Sequence, residues 1–239
     1  MNEEQLLKSM QLPKSTYVLR TFPYNKMEPQ LNVAQKKIIS EHVIPRGIRL
    51  LAIISPNNTN IPKYEDENER FEEIHFYWIQ VQNIKKATAV YKVFAQIMPY
   101  PLIILFTDGK QSSWVLATHT KQKQTHLLNV EQIYNSDEII PLEEIMGDLR
   151  FTEMENLNIK TIYHSWIKQL LQIELKYRYG IHRDITLENN ILQQLKDIDK
   201  QIEQLVNQAK REKQINKRIA LQLEANKLKN AKQAIIEKE

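Results

Sequence analysis

Breakers of regular structure are segregated along this 239-residue chain: all nine prolines lie between Pro13 and Pro141, and residues 181–239 contain neither Pro nor Gly. Proline removes a backbone donor and glycine carries the largest backbone entropy cost, so helices avoid both. The C-terminal quarter is therefore free to form one long helix or two, while the first 140 residues need turns and strands. The expected fold class is α+β, with a mixed-sheet N-terminal module over residues 1–140. A helical region over 141–239 follows, ending in a long coiled-coil-like helix or a helical hairpin.

Within the first module, Asn32 is placed to cap a helix running through Val33, Ile38 and Glu41 and stopped by Pro45 and Gly47;. Residues 48–54 read as a buried strand, 56–70 as a polar loop and 71–81 as a second strand. Apolar residues at Ile84, Ala87, Tyr91, Phe94, Ala95 and Met98 fall at helical spacing;. Asp108-Gly109-Lys110 then joins two apolar runs as a hairpin turn, and a further weak strand is expected near residues 127–133. The N-terminus begins acidic, reads as a short helix and lacks the pattern of a signal peptide. The longest apolar runs fall well short of the ~20 residues that span a bilayer. A soluble, cytoplasmic chain with no membrane partner is expected.

Composition narrows the chemistry. Without cysteine there is no thiolate metal site, iron–sulfur cluster or cysteine nucleophile;. Only 4 glycines are present, and neither the dinucleotide nor the P-loop signature occurs;. The six histidines form no i,i+4 pair; His119 and His126 flank a polar loop and read as ordinary surface or hydrogen-bonded residues. No cofactor and no metal is expected.

The C-terminal region carries a different signal. A helix over residues 157–177 is expected to stop at Gly180. After caps offered by Asp184 and Thr186, Ile191, Leu195, Ile198, Ile202, Leu205 and Ala209 step by four and three residues, a heptad seam within a helix of about 184–236;. The seam falters at Glu212 and Asn216 and partly resumes at Ile219 and Leu223. It serves equally a coiled coil between chains, giving a homo-oligomer, and a helical hairpin within one chain. Asn216, a polar step, fits control of register. Between residues 208 and 232 there are 8 basic and 2 acidic side chains. Lys210, Arg211, Lys213, Lys217 and Arg218 there could meet DNA phosphates, or form the solvated exterior of a coiled coil.

Two other constellations bear on function. The order of helices and strands is reminiscent of PD-(D/E)xK nucleases, in which strand carboxylates and a lysine hold Mg²⁺ and activate water. Residues 48–54 contain no carboxylate and Glu73 is followed by Ile74-His75, so such an enzyme would need an unusual set: Glu72, Glu73 and Gln80, with Lys121. Lys121 and Lys123 beside Trp114 offer phosphate contacts with an indole to stack on a base.

The segments Leu12-Pro13, Glu73-Ile-His-Phe-Tyr-Trp-Ile79, Ile97-Met-Pro-Tyr-Pro-Leu-Ile-Ile104 and Arg211-Glu-Lys-Gln-Ile-Asn-Lys-Arg-Ile-Ala-Leu221 together resemble a bacterial family catalogued as domain of unknown function 4391. The late pattern appears as Glu212, Lys213, Ile215, Asn216 and Ile219. The resemblance implies a setting beside helicases and DNA methyltransferases in restriction-type phage-defence clusters, with no established catalytic residues to carry over. The expected function is a non-enzymatic accessory subunit of such a complex, with a helicase or methyltransferase as partner. A metal-dependent nuclease and a DNA-binding adaptor are the alternatives.

Overall fold

A computed structural model describes residues 2–136, 140–182, 184 and 191–237. It divides into two compact units, Met1–Ile173 and Glu174–Glu239. The architecture is α+β: a mixed six-stranded sheet in the N-terminal half, then helices, the last two of them long.

Helix α1 (Glu3–Ser9) starts on Asn2, whose side chain accepts from the Gln5 amide while the Gln5 side chain accepts from the Asn2 amide;. Strand β1 (Tyr17–Thr21) and the short α2 (Tyr24–Met27) follow. Neither stands out in the sequence, because β1 is brief and half-exposed. Helix α3 (Val33–His42) begins on the Asn32 cap as predicted, with the same reciprocal pair to Gln35. Strand β2 (Val43–Ile54) starts at Val43 rather than Ile48, so Pro45 and Gly47 lie inside it. They sit where the pairing jumps from Val43↔Val81 to Ile48↔Ile79, and an interrupted ladder tolerates proline. Gly47 is needed there: a Cβ would fall 2.8 Å from the Ile44 carbonyl oxygen and 2.9 Å from the Gln80 Cβ.

Helix α4 (Pro56–Thr59) leads to a two-stranded ribbon, β3 (Tyr64–Glu65) with β4 (Arg70–Phe71), within the segment read as loop. Strand β5 (Ile74–Val81), α5 (Ala87–Ile97) and β6 (Leu102–Thr107) form a β–α–β unit whose strands are parallel. Strands β7 (Ser112–Lys121) and β8 (Leu128–Asn135) complete the sheet in the order β1-β2-β5-β6-β7-β8, antiparallel at its other junctions. The predicted turn joins β6 to β7. The Asp108 carboxylate accepts from the Lys110 and Gln111 amides at 3.0 and 2.9 Å, and Gly109 takes a φ of +87°;.

Side-chain alternation divides the sheet between two cores. Tyr77, Ile79, Leu102, Ile104, Val115 and Ala117 meet Val90, Tyr91 and Phe94 of α5 on one face. Phe76, Ile103, Leu105, Trp114 and Leu116 are buried on the other, where Phe76 stacks on Trp114 with ring centroids 5.5 Å apart. Burial on both faces explains why β5 and β6 are apolar throughout. Trp114 is fully buried, so the base-stacking role considered for it is ruled out.

Helices α6 (Leu142–Asp148) and α7 (Ile159–Tyr179) follow. The boundary between the units falls within α7, at Ile173/Glu174. Its physical reason is burial of Ile159, Ile162, Tyr163, Trp166 and Ile167, which commits the first turns of α7 to the sheet unit. Gly180, at φ +70°, ends α7 as expected;. The cap considered at Thr186 lies outside the described residues. The second unit holds α8 (Ile191–Arg211) and α9 (Ile215–Glu237), joined through residues 212–214. The single helix of about 184–236 is thus two, broken where the heptad spacing falters. Helix α8 packs along α9 in the same chain, a helical hairpin. Among the described residues no helix is long and apolar enough to cross a membrane.

Candidate functional site

The nuclease-type residues are dispersed. Glu72 and Glu73 precede β5 and Gln80 lies near its far end. At about 3.3 Å per residue the strand separates Glu73 from Gln80 by roughly 20 Å, far beyond a shared metal ion. Glu73 instead pairs with His75 Nε2 at 2.9 Å, and burial lowers the His75 pKa against the opposing pull of that carboxylate. Lys121 pairs with Glu65 at 2.8 Å and donates to the Asp66 carbonyl at 2.6 Å. Gln80 faces an open cavity of about 450 Å³ beside Glu3, Glu4, Arg49 and Trp78. There Arg49 makes a two-pronged pair with Glu3, at 2.6 and 2.8 Å, and also donates to Thr21 Oγ1 and the Leu19 carbonyl. Leu19 holds a φ of +49° at the irregular point of β1. Among the described residues no three His, Asp or Glu side chains are gathered to hold a metal. The set Glu72, Glu73, Gln80 and Lys121 is therefore not one site.

A polar cluster lies inside the first unit, at residues to which the sequence assigns no functional role. The paired register of β6 and β7 ends at Ile104↔Val115. Beyond it the Tyr163 phenol bridges the strands: the Ala117 amide donates to its oxygen at 3.1 Å, and its hydroxyl donates to the Leu102 carbonyl at 2.9 Å. One side chain thereby pairs with two buried backbone groups, and the Tyr91 hydroxyl shares the Leu102 carbonyl at 3.4 Å;. His119 packs near the same ring, with centroids 5.8 Å apart. Its exposure is 4%, correcting the surface or hydrogen-bonded reading, and its Nδ1 finds no hydrogen-bond partner among the described residues. Burial, with His164 nearby, lowers its pKa to about 3. Tyr163 and His119 lie at unremarkable positions in helix and strand patterns, so no sequence signal marks them.

In the second unit the predicted seam turns inward. Ile191, Leu195 and Ala209 are buried, and Ile198, Ile202 and Leu205 half-buried; in α9 Ala225 is buried and Leu221, Leu228, Ile235 and Ile236 are half-buried. Asp199 accepts from Tyr179 at 2.8 Å and pairs with Lys232 at 2.5 Å, while Lys232 also lies 4.9 Å from the Tyr179 ring centroid. Asn216 is exposed at the start of α9 and so does not set a register. Glu212 accepts from the Gln214 amide at 2.8 Å, which makes the motif quoted from Glu212 to Ile219 the turn between the helices and the opening of α9.

That opening carries an outward apolar stripe. Ile215, Ile219 and Leu223 are 63%, 48% and 57% exposed, and four-residue steps advance each by about 40° around the helix. Lys210 and Arg218 line a groove together with Ile215 and Ile219, and Arg211, Lys213 and Lys217, likewise exposed, lie at the same end of the hairpin. The basic residues expected at the DNA and the apolar residues of the late motif therefore share one end of the hairpin. The turn is what brings them together.

No curated protein and no solved structure matches the chain. The family model described as Domain of unknown function (DUF4391) matches residues 10–233, nearly the whole length and including both the sheet and the hairpin. The chain belongs to the DUF4391 family.

Proposed function

We propose that this protein is a non-enzymatic accessory subunit of a cytoplasmic, restriction-type DNA-defence assembly, attached to a larger helicase or DNA methyltransferase through its terminal helical hairpin. The supporting observation is the stripe Ile215, Ile219 and Leu223, an aligned apolar surface on a helix that already buries another face against α8. Exposed apolar side chains aligned in this way are a common mark of a protein interface. The assembly and its partners come from the family resemblance.

The test is co-expression of the full chain with any helicase or methyltransferase encoded beside it, followed by size-exclusion chromatography. Co-elution is expected, with its loss on changing Ile215, Ile219 and Leu223 together to Ser while circular dichroism stays unchanged. Co-elution that survives the triple change removes the stripe from the interface.

The five exposed basic side chains favour a second reading, contact with DNA phosphates. Such binding falls steeply with added salt, and charge reversal at Lys217 and Arg218 would abolish it. Absence of binding to duplex DNA even at low salt would remove this reading.

A further inference from the structure

A groove of about 640 Å³ runs along one flank of the α8–α9 hairpin. Val206 and Ala209 of α8 and Ile215, Ile219 and Ala225 of α9 provide its apolar lining. Lys210, Arg218 and Lys229 stand on the same groove, and none of them makes an ion pair among the described residues. Ala209 and Ala225 are small and buried, so the depression forms between the two helices.

Resting on the docking role above, we propose that this groove receives an amphipathic, acidic helix from a partner protein. Its apolar side chains, at three- and four-residue spacing, would cover Ile215 and Ile219, and its flanking carboxylates would meet Lys210, Arg218 and Lys229. Two packed helices present the ridges and groove in which a third helix can lie. The apolar lining argues against a phosphate backbone, which would satisfy the cations and leave both isoleucines wet. Charge argues against a second copy of this chain: residues 208–232 carry 8 basic and 2 acidic side chains, so two such tips repel;. An acidic amphipathic helix satisfies both parts of the surface.

Fluorescence anisotropy on the full chain tests this with three labelled peptides of roughly five helical turns. One has a leucine stripe flanked by Glu, the second the same stripe flanked by Lys, and the third Glu flanks with the leucines changed to Gln. The first alone is expected to bind. Ile219→Gln should weaken it about tenfold, and Arg218→Glu with Lys229→Glu should transfer preference to the Lys-flanked peptide. Both variants lie on exposed positions, and unchanged circular dichroism will establish that the hairpin persists.

Failure of all three peptides, or equal binding of the Glu- and Lys-flanked ones, overturns the proposal. So does tighter binding of duplex DNA that Ile219→Gln leaves untouched, or self-association that Ile219→Gln abolishes. Peptide failure with co-elution retained rejects the groove and leaves the docking role intact. Peptide binding in the absence of any co-eluting helicase or methyltransferase upholds the groove and rejects that wider role.

Discussion

His119 is a basic group whose charged form is disfavoured by burial. Burial among β7, Tyr163 and His164 keeps its imidazole neutral, with a pKa lowered from 6.5 to about 3. Below pH 6.5 the unfolded chain takes up a proton that the folded chain refuses. The stability contribution is therefore complete above pH 6.5 and lost progressively as the pH falls toward 3. The expected loss over that window is on the order of several kcal/mol. Denaturant titrations of the wild type and His119→Phe at a series of pH values will check it: the variant should show a flatter acid limb, and parallel limbs would refute the assignment. The sequence could not reveal this residue, because a histidine beside a polar loop has the same spacing whether its ring turns outward or inward. Trp114 illustrates the same limit. Its lysine neighbours suggested a binding platform, but strand alternation and Phe76 place it in the core.

Spacing was more informative at the level of elements. Asn32, the hairpin turn at Asp108-Gly109, the stop at Gly180 and the inward positions of α8 follow from local rules of capping, turns and periodicity;. The partner covering the α8 seam does not follow, since a helix of the same chain and one from another chain satisfy the same apolar stripe. Strand β1 and the ribbon of β3 and β4 escaped because such short segments owe their form to tertiary pairing. One buried charge in the helical unit was equally illegible: Glu174, in the last two turns of α7, is 1% exposed and meets Lys196 at 2.7 Å and Arg178 at 3.6 Å. Burial raises its pKa, with Lys196 opposing. Because the folded value lies above the unfolded one, this group favours folding in acid and loses that contribution as the pH rises through its folded pKa. Lys196→Met should cost about 3 kcal/mol at neutral pH, because it leaves the buried carboxylate with only the longer pair to Arg178 at 3.6 Å;. The cost should shrink in acid as Glu174 takes up a proton. An equal loss at both pH values, measured by thermal unfolding, would contradict the pairing.

At the scale of the whole molecule, the two units rest on different sources of stability. The sheet unit has two apolar cores, and β6 is buried along nearly its whole length. In α9, by contrast, Ala225 is the only fully buried residue among those described. All three tryptophans, Trp78, Trp114 and Trp166, belong to the first unit. Tryptophan fluorescence therefore follows the sheet unit, while the far-UV helix signal follows α8 and α9 as well. A chain unfolding in one step gives coincident curves for the two probes. Here the helix signal should begin to fall at lower denaturant than the fluorescence. Ile198→Asp with Ile202→Asp places two carboxylates in the half-buried seam of α8, where unpaired charge is costly;. This double change should move the early helix transition to still lower denaturant, or remove it, while leaving the tryptophan midpoint unchanged. If both curves shift together, the sheet and hairpin fold as one cooperative body. A shift confined to the helix signal makes the hairpin a separately stabilised element, whose surface can change its fit to a partner without unsettling the sheet core.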